Sequence, residues 1–221
     1  ATTLSLDASG GTITNAGSVT GYVTASNLDA TASLVALTGS NSITTLGSIS
    51  AGSFTLDDNA PLTIAGSFNA TDASLAASDI RINANLDATT LSLDANGGTI
   101  TNAGSVTGYV TASNLDATAS LVALTGSNSI TTLGSISAGS FTLDDSAPLT
   151  IAGSFNATDA SLAASDIRIN ANLDATTLSL DANAGTIANA GSGYVNATTL
   201  DAVASLVALT GSNSITTLGS I

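Results

Sequence analysis

A chain of 221 residues carries a formal net charge of −14, from 16 acidic residues, all Asp, against two Arg; it has no His, Cys, Met or Trp. Such a surface repels nucleic acid and anionic membranes and lacks a basic stripe for phosphate, and without Cys there are no disulfides or thiolate metal sites. No apolar run is long enough to cross a bilayer as a helix.

Glu, Lys and Gln are also absent, while Thr, Ile and Val abound. That balance disfavours helix and favours strand. Regular Leu, Ile and Val with only two Pro disfavour disorder.

Residues 1–87 and 88–174 are the same sequence apart from Ser9/Asn96 and Asn59/Ser146, and a partial third copy runs over 175–221. Near-identical units of this kind stack on one another. The three copies are therefore expected to form one continuous solenoid belonging to a longer chain.

In chain order, Leu4 and Leu6 alternate with Ser5 and Asp7, the period-2 pattern of a half-buried strand. Gly10-Gly11 marks a corner, and Ile13 points inward between Thr12 and Thr14. Further apolar pairs follow at Leu34 and Ala36, Phe54 and Leu56, and Leu75 and Ala77. The segments beginning Thr12-Ile13, Ser42-Ile43 and Pro61-Leu62 align without gaps through Gly17-Ser18, Gly47-Ser48 and Gly66-Ser67; Arg81-Ile82-Asn83-Ala84 matches only their first half.

This spacing predicts coils of about twenty residues, about four in each 87-residue unit, with an axial advance of roughly 19 Å per unit. Aligned like on like, Ile13, Ile43, Leu62 and Ile82 are expected in one interior column, and Leu28, Ile49, Phe68 and Leu86 in another. The first coil is about ten residues too long, and the excess is placed in a loop from Val19 to Ser26 that carries Tyr22. Its counterparts carry Tyr109 and Tyr194, and the third copy is two residues shorter there. A stack of antiparallel sandwiches, one per repeat, is the alternative fold; the low aromatic content and the shorter internal period speak against it.

The stretch Gly10-Gly11-Thr12-Ile13-Thr14-Asn15-Ala16-Gly17-Ser18-Val19, repeated at 97–106, resembles the repeats of filamentous-haemagglutinin-type exoproteins of two-partner secretion and of related autotransporter passengers. The resemblance implies a right-handed parallel β-helix, secreted by a Gram-negative bacterium to the cell surface, as the shaft of an adhesin or fibre.

Catalysis is not expected. The chain has no His, Lys, Cys or Glu to serve as nucleophile or base, and every Asp of the first copy recurs in the second. Aligning the coils places Asp58 opposite Asp79, with Arg81 nearby, and Asp87 opposite Asp116. With the counterparts Asp145 and Asp166, these are candidate ligands for calcium, a hard cation that takes oxygen donors. The plain alternative is that they are solvated corner residues. Thr12, Thr14, Ser42, Thr44 and Thr63 would share an outer face, an array that an ice-binding protein could use.

Two functional readings stay open. One is a structural shaft that self-associates into filaments or a coat. The other is an adhesive module whose Tyr22, Tyr109 and Tyr194 loops contact glycans or a cell-surface receptor, with multivalency strengthening weak contacts.

Overall fold

The computed structural model describes residues 1–15, 21–95, 97–102 and 108–221. Among the described residues there is no helix. Parallel strands stack into one β-solenoid of about ten turns. Parallel pairing excludes the antiparallel sandwich and meets the expectation of a parallel β-helix.

One turn is clearest over residues 68–85. The strand Phe68–Ala76 buries Phe68, Ala70, Ala73 and Leu75. Its alternation breaks at Thr71 and Asp72, which are both exposed, and the pairing with the next turn skips Thr71. That break is a corner. A second corner follows at 77–79, then the strand Ile80–Ile82, which buries both Ile, then a third corner at 83–85. Leu86 closes the turn beside Phe68. Each turn thus has three faces, each presenting two side chains inward.

The interior is a stack of Leu, Ile, Val, Ala and Phe. Fully burying each larger side chain contributes roughly 1.5–3 kcal/mol. Phe54 and Phe68 meet edge to face at 5.2 Å, and Phe141 and Phe155 at 5.1 Å, so each of the two complete repeats has one aromatic pair in its core.

The registers fix how the repeat winds. From Phe54 the partners run to Ala73, Leu91, Leu115 and Leu133, four complete turns. Phe141, the residue equivalent to Phe54 in the second copy, comes eight residues after Leu133. It lies on the next face, in the ladder Leu62, Ile80, Ile100, Val122, Phe141, Ala160. One repeat therefore spans four and a third turns, and equivalent residues advance by one face per copy. The axial advance becomes about 21 Å per repeat at the usual strand spacing.

That fraction corrects the expected columns. Ile49, Phe68 and Leu86 do stack, but Leu28 stands beside Leu4. Ile13 pairs with Val35, Leu62 with Ile80, and Ile82 with Ile64. The alignment assumed that every Gly-Ser pair marks the same corner. Gly47 and Gly66 do share one, where a Cβ on Gly66 would run into the Gly47 backbone, but Ile13 belongs to a different face. The Thr array is dispersed for the same reason. Thr12 pairs with Leu34, Thr14 with Ala36 and Thr63 with Thr45 and Arg81.

The long turn is shorter than expected. Phe68 to Leu86 takes 18 residues, Leu86 to Val110 takes 24, and Leu173 to Val195 in the third copy takes 22. The expected loop over Val19–Ser26 is displaced at its end, because the strand Thr24–Asp58 has already begun and Ala25 is buried. Val19 and Thr20 lie outside the described residues.

Candidate functional site

The long turn recurs once per copy, and its base is built the same way each time. In Thr12-Ile13-Thr14-Asn15 the alternation that turns Ile13 inward also turns Asn15 inward. Its counterpart Asn102 is buried, as is Asn128 in the following turn. Nδ2 of Asn102 donates to Oδ1 of Asn128 (2.9 Å) and to the carbonyl of Gly108 (3.2 Å), while its Oδ1 accepts from the backbone of Thr125 (2.9 Å). Oδ1 of Asn128 also accepts from the backbone of Val110 (3.0 Å), where the chain re-enters the sheet. Nδ2 of Asn128 reaches the carbonyls of Leu124 (2.9 Å) and Asp144 (3.0 Å).

The first copy repeats this with Asn15, Asn41, Gly21 and Val23, and the third with Asn189, Asn213, Gly193 and Val195. The staple survives the two-residue deletion because both of its anchors lie at the base. Buried amides need partners, and these meet the need by fastening the turn. This pair was missed in the sequence, although the inward phase of Asn15 was there to find it.

Below Asn128 on the same corner stands Asp145. Its carboxylate accepts from the backbone N–H of Ile130 (2.9 Å) and Ala147 (3.0 Å); Asp58 does the same with Ile43 (2.8 Å) and Ala60 (3.0 Å). Burial pushes both carboxyls above their ordinary value. The backbone bonds pull the other way, and the neighbouring Asp57 or Asp144 charge adds to the rise.

Of the other calcium candidates, Asp79, Asp116 and Asp166 are also tied to backbone. Asp79 Oδ1 accepts from the Thr99 N–H (2.9 Å) and hydroxyl (2.8 Å), and Asp166 Oδ1 from the Thr186 N–H (2.8 Å). Asp116 accepts from the Ser135 N–H (2.5 Å) and from Asn114 Nδ2 (3.0 Å). The expected facing pairs are not formed. Asp87 stands between Asn69 and Thr111, Asp116 beside Ser92, and residue 79 beside Pro61 through the Leu62–Ile80 register. Among the described residues no three acidic side chains gather closely enough to hold a metal ion. Asp58, Asp79, Asp116, Asp145 and Asp166 each accept a backbone N–H at a turn.

Glycine makes one such contact fit. A Cβ on Gly134 would be driven into Oδ1 of Asp116, and the same holds for Gly47 under Asp29 and Gly219 under Asp201. The Gly of the Gly-Ser pair thus admits a carboxylate from the turn before.

The three tyrosines differ in cover. Tyr109 is half-buried and accepts a hydrogen bond from Asn85 Nδ2 (2.5 Å), one turn earlier; Tyr194 is also half-buried, and Tyr22 is 67% exposed. Asp87 lies in a shallow polar cleft of about 370 Å³ with Asn69, Thr71, Thr89 and Thr111, and Asp174 lies in its counterpart of about 350 Å³ with Asn156, Thr158 and Asn196. Among the described residues no helix is long and apolar enough to cross a membrane.

Comparison with known protein families, with curated proteins and with solved structures gave no match in any of the three.

Proposed function

We propose that this chain is the shaft of an extracellular fibre or surface filament of bacterial type, acting as a stiff spacer that carries regularly placed lateral contact points. The observation that carries the reading is the unbroken parallel ladder through which near-identical repeats continue without a domain boundary. Each turn adds backbone hydrogen bonds and interior contacts to its neighbours alone, so added repeats lengthen the rod without changing its cross-section. Asp residues supply solubility, and an Asn pair fastens the base of one long turn in each repeat.

Immunogold labelling of the source cells tests this. Label along thin filaments outside the cell is the expected result; label confined to the cell interior would overturn it. A second reading, adhesion to neutral glycans, is favoured by the two equivalent polar clefts at Asp87 and Asp174, whose hydroxyls, amides and carboxylates suit sugar hydroxyls. In that case Asp87→Ala with Asp174→Ala abolishes cell or glycan binding and leaves the filaments intact.

A further inference from the structure

We propose that the rods associate side by side through Arg81 and Arg168, each received by an exposed corner Asp of a second copy, and that successive repeats direct this contact to different neighbours. The inference rests on the shaft reading above and names how the shaft assembles.

Charge frames the problem. At −14, two copies brought together laterally set carboxylates against carboxylates, which costs association unless a cation intervenes. The chain has two cations, at equivalent places in successive repeats. Both are exposed and stand on a flat strand, Ile80–Ile82 or Ile167–Ile169, between two buried Ile. The flanking positions on adjacent turns are small, Thr63 and Thr101 beside Arg81, and Thr150 and Ala188 beside Arg168.

The carboxylates two residues before, Asp79 and Asp166, are already engaged by the backbones of Thr99 and Thr186. Nε of Arg81 donates to Asn83 Oδ1 (3.3 Å), so the pair of Nη groups forms the outer end of the side chain. A guanidinium fork binds a carboxylate with two parallel hydrogen bonds.

The surface beside the Arg is open to such a partner. Arg168 borders a concavity of about 430 Å³ lined by Pro148, Thr150, Asp166, Thr186 and Ala188. The partner is the corner at Thr71-Asp72 and its counterpart Thr158-Asp159, where two consecutive residues are exposed. Asp72 or Asp159 of one copy set against Arg81 or Arg168 of another joins corner to face.

Direction follows from the winding. The ladder through Arg81 runs Thr63, Arg81, Thr101, Ala123, Thr142, Ser161, Ser179. Arg168 belongs to a separate ladder, Thr132, Thr150, Arg168, Ala188, Ala208. The two Arg therefore face different sides, and a rod with more repeats reaches neighbours on all three faces. Bundles or networks result, where an integral number of turns would have given flat ribbons.

The test is light scattering and negative-stain electron microscopy of the purified chain at low and at high salt, with circular dichroism to confirm folding. Wild type should form lateral bundles at low salt that disperse at high salt. Arg81→Gln with Arg168→Gln, and separately Asp72→Asn with Asp159→Asn, should raise the concentration at which bundles appear about tenfold or more. Exchanging the charges in one chain, Arg81→Asp and Arg168→Asp with Asp72→Arg and Asp159→Arg, should restore bundling. Folded variants that bundle like wild type, or wild type that stays as single rods throughout, would overturn the lateral contact and leave the shaft reading standing. Compact particles would overturn both.

Discussion

Asn128 does more for this fold than its small amide suggests. It closes the long turn from the turn below, binding Val110 and Asn102 on one side and two carbonyls on the other. Asn128→Ala would strand those groups in the interior, and the expected loss is about 3 kcal/mol or more in urea unfolding. A change within about 0.5 kcal/mol, the range typical of a surface substitution, would show that the staple is dispensable.

Asp58 and Asp145 carry a second prediction at this scale. Burial raises their carboxyls, so the folded chain holds those protons more tightly than the unfolded chain does. The stability they contribute is full below the ordinary carboxylate value and is lost as pH rises through the raised folded value. The doubly substituted Asp58→Asn, Asp145→Asn chain does not titrate there. The stability of wild type minus that of the variant should then fall with rising pH, and a flat or rising difference contradicts the assignment. Glycines separate two further causes. Gly134→Ala pushes a Cβ into Asp116 and should cost about 1–3 kcal/mol. Gly97→Ala meets nothing within 4 Å but sits at φ +84°, and should cost about 1 kcal/mol from backbone strain alone.

At the scale of the element, the sequence reading succeeded where alternation was strict. Leu4 and Leu6, Phe54 and Leu56, and Ile13 between two Thr all take the expected sides. It failed where a corner resets the phase, because two consecutive exposed residues such as Thr71-Asp72 look in sequence like any polar step. Which corner a Gly-Ser pair occupies depends on the turn beneath it, a long-range fact, so the columns of Ile13 and Leu28 were misassigned. The facing Asp pairs failed with them. The aromatic pair is the element-level test of packing. Phe141→Ala opens a cavity against Phe155 and should cost about 3–5 kcal/mol, more than a peripheral Leu206→Ala, since Leu206 is 56% exposed.

For the whole molecule, near-identity of the copies made a stacked rod legible, and the two-residue deletion in the third copy located the long turn. The fraction of a turn left over in each repeat was not legible. It comes from turns of 18, 19, 20, 22 and 24 residues, and those lengths emerge only from the register. That fraction makes the Arg sites and long turns spiral around the rod, with three repeats completing thirteen turns in about 62 Å at the strand spacing. Cryo-electron microscopy of the rod measures it directly. The expected result is an advance of about 21 Å per repeat with a rotation of about one third of a turn. Repeats stacked in line at about 19 Å, with every long turn on one side, would contradict the winding and the assembly built on it.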